Sequence, residues 1–376
     1  MFVLRWLWRL IKLAFWLAII VIIIPIAGLA YGFATTSSLD GGAPPGGLGA
    51  PPPKALADKL RAEIPGYRRP EASTFLAYPE WAVVYAARDY AAYVKDNQPG
   101  GFPYWSYVGR FWQDYAMVFR AGEAYPFDFH SQQTLTVIGT GYTIEHLLQW
   151  AYENTVGRAT EIAAGRRTRA DDYLARVAAD YAAFLDQTPW YRFPYAARRS
   201  GLFAVRPAAG DGRVRPGERK IAFGIAYTIK QACARLVGSA LAPNSGAEPL
   251  DIHVWAKGPV GEATRNEPDT ALERDFGDDG AVFVTRRHQA FTDMIPRLIE
   301  KGVSFVEIGG NDEIMLTVLS DAPVPPPEGS MQLFSYPLPA TPQLRRTGLI
   351  VAVRRLHTVL PLIARSGAKL EHVYDY

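Results

Sequence analysis

The sequence predicts a single N-terminal transmembrane helix followed by an α+β body, in which an aromatic-rich all-α domain leads into a ferredoxin-like α+β domain with two βαβ units. Three observations carry this expectation. Residues 1–34 hold 28 hydrophobic residues. Between Phe75 and Tyr195 lie 27 aromatic residues in 121 positions, many at three- and four-residue spacing. From Asp251 onward, short alternating apolar runs replace the helical pattern. The expected divisions are 1–34 for a cytoplasmic start and anchor, 35–54 for a Gly/Pro-rich tether, 55–245 for the helical domain and 246–376 for the α+β domain.

The anchor rests on the run from Leu13 to Ala34, broken only by Pro25, Gly28 and Gly32. Such a run makes about 33 Å of helix, enough for a hydrocarbon core about 30 Å thick. Arg5, Arg9 and Lys12 precede it, whereas Asp40 is the only charge from Leu13 to Pro53. The amino terminus is therefore expected in the cytoplasm, making the chain a single-pass signal-anchor protein of the inner membrane with a periplasmic or otherwise extracytoplasmic body. A cleaved signal peptide shares the basic start, but the apolar run exceeds a normal signal core and Tyr31 and Phe33 are bulky for a cleavage site. Trp6, Trp8 and Trp16 at one end and Tyr31 at the other suit interfacial belts. Residues 35–53, TTSSLDGGAPPGGLGAPPP, have too little apolar surface to offset the entropy of ordering.

In the body, Pro79 and Pro103 open helices expected to end near Asp96 and Ala121, since a first-turn proline gives up no needed hydrogen bond. A longer helix is expected from Ser131 or Thr134 to Ala164, with Gly139 and Gly141 possible interruptions, and others from Arg169 to Asp186 and from Glu218 to Leu241. In the last third, Asp251–Lys257, Ala281–Thr285, Val303–Ile308, Glu313–Leu319, Gln332–Tyr336, Leu349–Val353 and Lys369–Tyr374 read as strands, and His288–Lys301 and Leu356–Ser366 as helices. An Arg pair after one strand (Arg286, Arg287) matches a second pair (Arg354, Arg355), and the spacing from Pro296 to Gly302 recurs from Pro361 to Gly367, so the two units read as an internal repeat.

Charge is unevenly divided. The whole chain carries +3, but residues 55–245 hold 23 basic and 18 acidic groups while 246–376 hold 13 and 18. Within these, Arg192–Lys220 is a basic connector with eight cations against two acids, and Glu262–Asp279 an acidic loop with seven carboxylates against two arginines. They are placed to face each other or to dock a charged partner. Because the body is neutral overall, no nucleic-acid partner is expected.

The 376 residues contain one cysteine, Cys233, which excludes an intramolecular disulfide and a cysteine-cluster metal centre. Nucleotide, zinc-protease and hydrolase motifs are absent, and no cofactor is expected. Candidate catalytic residues are His146, Glu153 and Glu145, since His146, Trp150 and Glu153 share a helix face and would aim an imidazole and a carboxylate together. Trp81, Trp112, Tyr142 and Trp150 are candidate walls of a ligand pocket. Arg286, Arg287, His288, Arg354, Arg355 and His357 form a candidate anion-binding edge at helix amino termini. Glu80, Asp128 and His130 are weak metal candidates that equally suit helix caps and dipole partners. Two functions follow as expectations. The first is a membrane-anchored extracytoplasmic scaffold or assembly subunit with the bilayer and a protein as partners. The alternative is an enzyme or carrier binding an apolar, ring-containing or lipid-like small molecule among the aromatic helices.

Overall fold

The computed structural model describes residues 2–36, 48, 51–64, 66–67, 77–124, 127–241 and 251–374. Most of the expected tether, the expected boundary at 245/246 and the side chains of Trp6 and Trp16 lie outside the described residues. The helices of the amino-terminal two thirds are α1 (Phe2–Thr35), α2 (Lys54–Glu63), α3 (Tyr78–Asp96), α4 (Tyr104–Ala121), α5 (Phe129–Asn154), α6 (Val156–Ala164), α7 (Arg169–Leu185), α8 (Tyr195–Ala204) and α9 (Val214–Leu241). The long helix expected to reach Ala164 is divided at Thr155, whose φ of −120° and ψ of −92° leave the helical region. Gly139 does not interrupt α5. It lets Phe111 of α4 lie against the helix backbone, where a β-carbon would overlap the ring. α7 begins with a capping box, in which the Thr168 hydroxyl and the Asp171 carboxylate each bond the other's backbone amide.

α1 is a packing element. Gly28 and Gly32 are buried against Trp112 of α4, so close that a β-carbon at either would overlap that residue. Ile24 and Leu29 pack on the ring cluster of α4 and α5. Arg120 of α4 donates to the Phe33 carbonyl at 3.0 Å and also to that of Thr36, satisfying carbonyls that a helix end leaves open. Among the described residues no helix is long and apolar enough to cross a membrane. This overturns the expected transmembrane anchor, together with the single-pass signal-anchor and inner-membrane placement built on it. The physical reason is that residues read as facing lipid include contact residues of a helix–helix interface, and an apolar run has one appearance whether lipid or protein covers it.

The remaining chain forms β1 (Asp251–Lys257), α10 (Val260–Thr264), β2 (Ala271–Asp275), β3 (Ala281–Arg286), α11 (Gln289–Glu300), β4 (Ser304–Ile308), β5 (Glu313–Ser320), β6 (Ser330–Pro337), β7 (Arg345–Ala352), α12 (Leu356–Arg365) and β8 (Lys369–Val373). The strands make two four-stranded sheets, ordered β2-β3-β1-β4 and β6-β7-β5-β8. All neighbours are antiparallel. The expected single ferredoxin-like domain with two βαβ units is thus corrected to two sheets. β3-α11-β4 and β7-α12-β8 each close a different sheet, with β1 or β5 lying between the two strands they join. What hid this is β2, which sits in the acidic segment with every residue exposed and so shows no apolar alternation.

Strand alternation sorts the side chains into layers. Ile252 and Val254 of β1 and Leu316 and Val318 of β5 point into a shared core with Phe291, Ile295 and Leu298 of α11 and Val359 and Ile363 of α12. The other face of the first sheet packs Trp255, Val282 and Val306 under Leu60 of α2 and Ile64 just after it. The other face of the second sheet lies under α3 and α4, where Met315, Phe334 and Ile350 meet Trp81, Met117 and Val118.

Candidate functional site

The seam between α3, α4 and the second sheet gathers polar groups into a closed network. α3 presents Tyr78, Trp81, Tyr85 and Asp89 at three- and four-residue spacing, which keeps them on one face. A β-bulge between β5 and β8 falls at Glu371, re-aiming that carboxylate toward the helices. There it receives two bonds of 2.7 Å from the fork of Arg346, whose guanidinium also lies 4.1 Å from the centroid of the Tyr85 ring. The Tyr85 hydroxyl bonds the hydroxyls of Tyr374 at 2.8 Å and Thr317 at 3.2 Å. On α4, Arg110 donates to Asp114 at 2.8 and 2.7 Å and covers the Tyr336 ring at 4.0 Å. The Tyr107 hydroxyl donates to Asp89 at 2.7 Å.

The seam therefore holds two guanidinium groups against three carboxylates. Burial, opposed by Arg110, pushes the Asp114 carboxyl up to about 6, and burial also raises Asp89. Beside this network His372 is fully buried against Trp81, with ring centroids 3.6 Å apart and planes tilted by 32°. Its Nδ1 is 3.1 Å from the Thr292 hydroxyl, which accepts from the Val373 amide at 2.9 Å. The hydroxyl can donate to Nδ1 or accept from it according to the tautomer, and the buried Nε2 has no hydrogen-bond partner among the described residues. Burial first, then the nearby His288 and Arg88, holds the imidazole well below its ordinary range. The His288 ring lies 6.0 Å from that of Trp81, with φ of 69° at the start of α11. A non-glycine residue there is strained, and the packing around it must hold it in place.

Trp81 and His288, expected for different purposes, are thus brought together, and His372 joins them. The other candidates disperse. His146 Nδ1 lies 3.0 Å from the Tyr142 carbonyl, with the Tyr142 ring 4.0 Å away. Glu153 is taken by Arg219, and Glu145 by Lys230 at 2.5 Å, so the three do not converge on a common point. Trp112 donates to Thr143 at 3.0 Å, and Trp150 is an exposed edge partner of Trp105. Arg286 pairs with Asp251 and Arg355 with Glu328, each within its own sheet unit, while Arg287 is buried, Arg354 half-buried and His357 exposed. Asp128 caps α5 by accepting from the Ser131 amide, Glu80 sits in the first turn of α3, and the side chain of His130 lies outside the described residues. Among the described residues no group of three His, Cys, Asp or Glu side chains is placed to hold a metal ion.

A second closed network lies under α9. Arg219 makes a bidentate pair with Glu153 at 2.7 and 2.9 Å and donates to Asp171 at 3.0 Å. Arg215 reaches Asp171 at 3.1 Å and the Gly157 carbonyl at 2.6 Å. Glu218 accepts from the hydroxyls of Thr160, at 2.9 Å, and of Tyr152. Both arginines are about 1% exposed, so these charges are spent inside the protein.

The opposite face of α9 is apolar and open. Val214, Ile221, Ile225, Ile229 and Leu236 are each 57 to 69% exposed. At 3.6 residues per turn they fall within about 80° of arc and run for about 33 Å. The Phe203 ring of α8 extends the row across Gly224, where a β-carbon would come within 3.0 Å of it. No protein-family model, curated protein or solved structure matches this chain. The geometry alone carries the functional argument.

Proposed function

We propose that the chain is a scaffold or assembly subunit whose contact surface is the α8–α9 face. The observation that carries this reading is that α9 is apolar on two sides: Phe223, Tyr227 and Ala234 pack inward beside the buried Arg215 and Arg219, while Ile221, Ile225 and Ile229 stand exposed. A surface helix ordinarily turns its apolar stripe to the core. Here the ion network and the inward Phe223, Tyr227 and Ala234 anchor the helix from behind, and a second apolar stripe is left for another molecule. Covering the three isoleucines contributes on the order of 5 kcal/mol, at about 1.5–3 kcal/mol each. The network under α9 supports the same reading, because its charges are paired within the fold. The test is to purify the full chain under mild conditions from the cells that make it and measure its mass by light scattering. The reading expects a complex of fixed stoichiometry that the triple substitution Ile221→Asp, Ile225→Asp, Ile229→Asp dissociates. A complex that survives the triple substitution, or a lone monomer, contradicts it.

A further inference from the structure

We infer that the occupant of the α8–α9 face is an acidic amphipathic helix of another protein. This rests on the proposed scaffold reading and adds the chemistry of the partner. The apolar positions on α9 are separated by 7, 4, 4 and 7 residues, the spacing by which one helix offers a seam to another. The rim of the seam has one sign. Arg199 and Arg206 are exposed on and after α8, and Arg213 and Arg235 are exposed beside and on α9. Arg199 reaches across to Thr228 at 2.7 Å, fixing one cation against the row. Lys220 ties α9 to the end of α8 through the carbonyls of Phe203 at 3.0 Å and Val205 at 2.8 Å. The sole carboxylate of α9, Glu218, is turned inward to Thr160 and so cannot offset the rim.

This charge pattern selects among occupants. Two copies of α9 packed antiparallel would set Arg213 of each opposite Arg235 of the other, and like charges across a seam are unfavourable. A basic helix meets the same repulsion. A helix with leucine-like residues at the same spacing and Glu or Asp on its flanks covers the row and pairs with the rim. Because those pairs sit at the solvent edge, salt weakens them, with a screening length of about 8 Å at physiological ionic strength.

The single cysteine supplies the reporter, since Cys233 is exposed on α9 within one turn of Ile229 and Leu236. The full chain, labelled there with an environment-sensitive dye, is titrated with two synthetic 22-residue helical peptides that share a Leu row and differ only in Glu or Lys flanks. The expected result is binding of the Glu peptide at least tenfold tighter than the Lys peptide. That preference should shrink at least fivefold in 0.5 M salt and in the double variant Arg213→Glu, Arg235→Glu. Equal binding of the two peptides, absence of binding, or a preference that the charge reversal leaves intact overturns the acidic class. If light scattering instead finds the unlabelled chain as a dimer that Ile225→Asp dissociates, the acidic partner is wrong while the scaffold reading stands. Comparing peptides on one unaltered chain keeps the result independent of how any variant folds.

Discussion

Arg219 shows how much of this molecule is decided by single buried charges. It sits on a helix whose sequence offers isoleucines for the interior, yet it is the arginine that goes in, because Glu153 and Asp171 meet its guanidinium there. Removing one partner from such a pair leaves a bare charge in a site that excludes water. Arg219→Met should cost about 3–5 kcal/mol in chemical denaturation, and Arg219→Met with Glu153→Leu should cost less than Arg219→Met alone. A double variant as unstable as the sum of the singles would show that the two do not interact.

Asp114 gives a pH dependence whose sign can be worked out. Its folded value of about 6 lies above the ordinary 3.8, so the folded state holds the proton more tightly than the unfolded chain. The stability this contributes is complete below about pH 3.8 and is lost as pH rises toward 6. Relative to Asp114→Asn, the native chain should therefore lose up to about 3 kcal/mol between pH 4 and 7. His372 acts oppositely: its depressed value means that stability is lost as pH falls below about 6.5, the ordinary value of a histidine. Each slope is isolated by comparing the native chain with its own variant, and a flat Asp114→Asn difference would remove that carboxyl from the account.

At the scale of elements, the legible parts were those where local rules and tertiary packing agree. Pro79 and Pro103 flag the starts of α3 and α4, and the alternation of DIHVWAK and EIMLTVL marks β1 and β5, each within a residue of its true extent. α9 carries more apolar residues than its inner face takes: Phe223, Tyr227 and Ala234 go in beside the ion network, and the isoleucines stay outside. The row at 214, 221, 225, 229 and 236 was visible as spacing, but nothing in the sequence says which side of the helix is covered. α1 failed for the converse reason, since Gly28 and Gly32 read as tolerated interruptions and are contact points on Trp112. Gly32→Val should push α1 off α4. Hydrogen exchange of the amides from Ile24 to Thr36 should then rise at least tenfold while the α3–α7 contact stays protected. Unchanged exchange would show that the contact does not hold α1.

At the scale of the whole molecule, the basic and acidic halves do not neutralise each other in the way the charge runs suggested. Among the described ion pairs, Arg198 is met by Asp180, and Arg215 and Arg219 by Asp171 and Glu153, while Glu267 of the acidic loop is met by Arg297 and Lys301. Each cluster is served mainly by its own half, which leaves Arg199, Arg206, Arg213 and Arg235 facing solvent around an apolar row. The candidate site was only partly legible for the same reason. Trp81 and His288 were each visible in the sequence, but their meeting with His372 brings α3 to two segments more than 200 residues further along the chain.

The central claim, that the α8–α9 face is a contact surface, is tested most directly by photo-crosslinking. A photoreactive phenylalanine analogue is placed at Ile225 of the full chain in its native cells, with Val137 on α5, 67% exposed, as the control position. The account predicts one discrete adduct at residue 225, none at 137, and a crosslinked peptide that is acidic and amphipathic. Absence of an adduct at 225, or the same adducts from both positions, would contradict it.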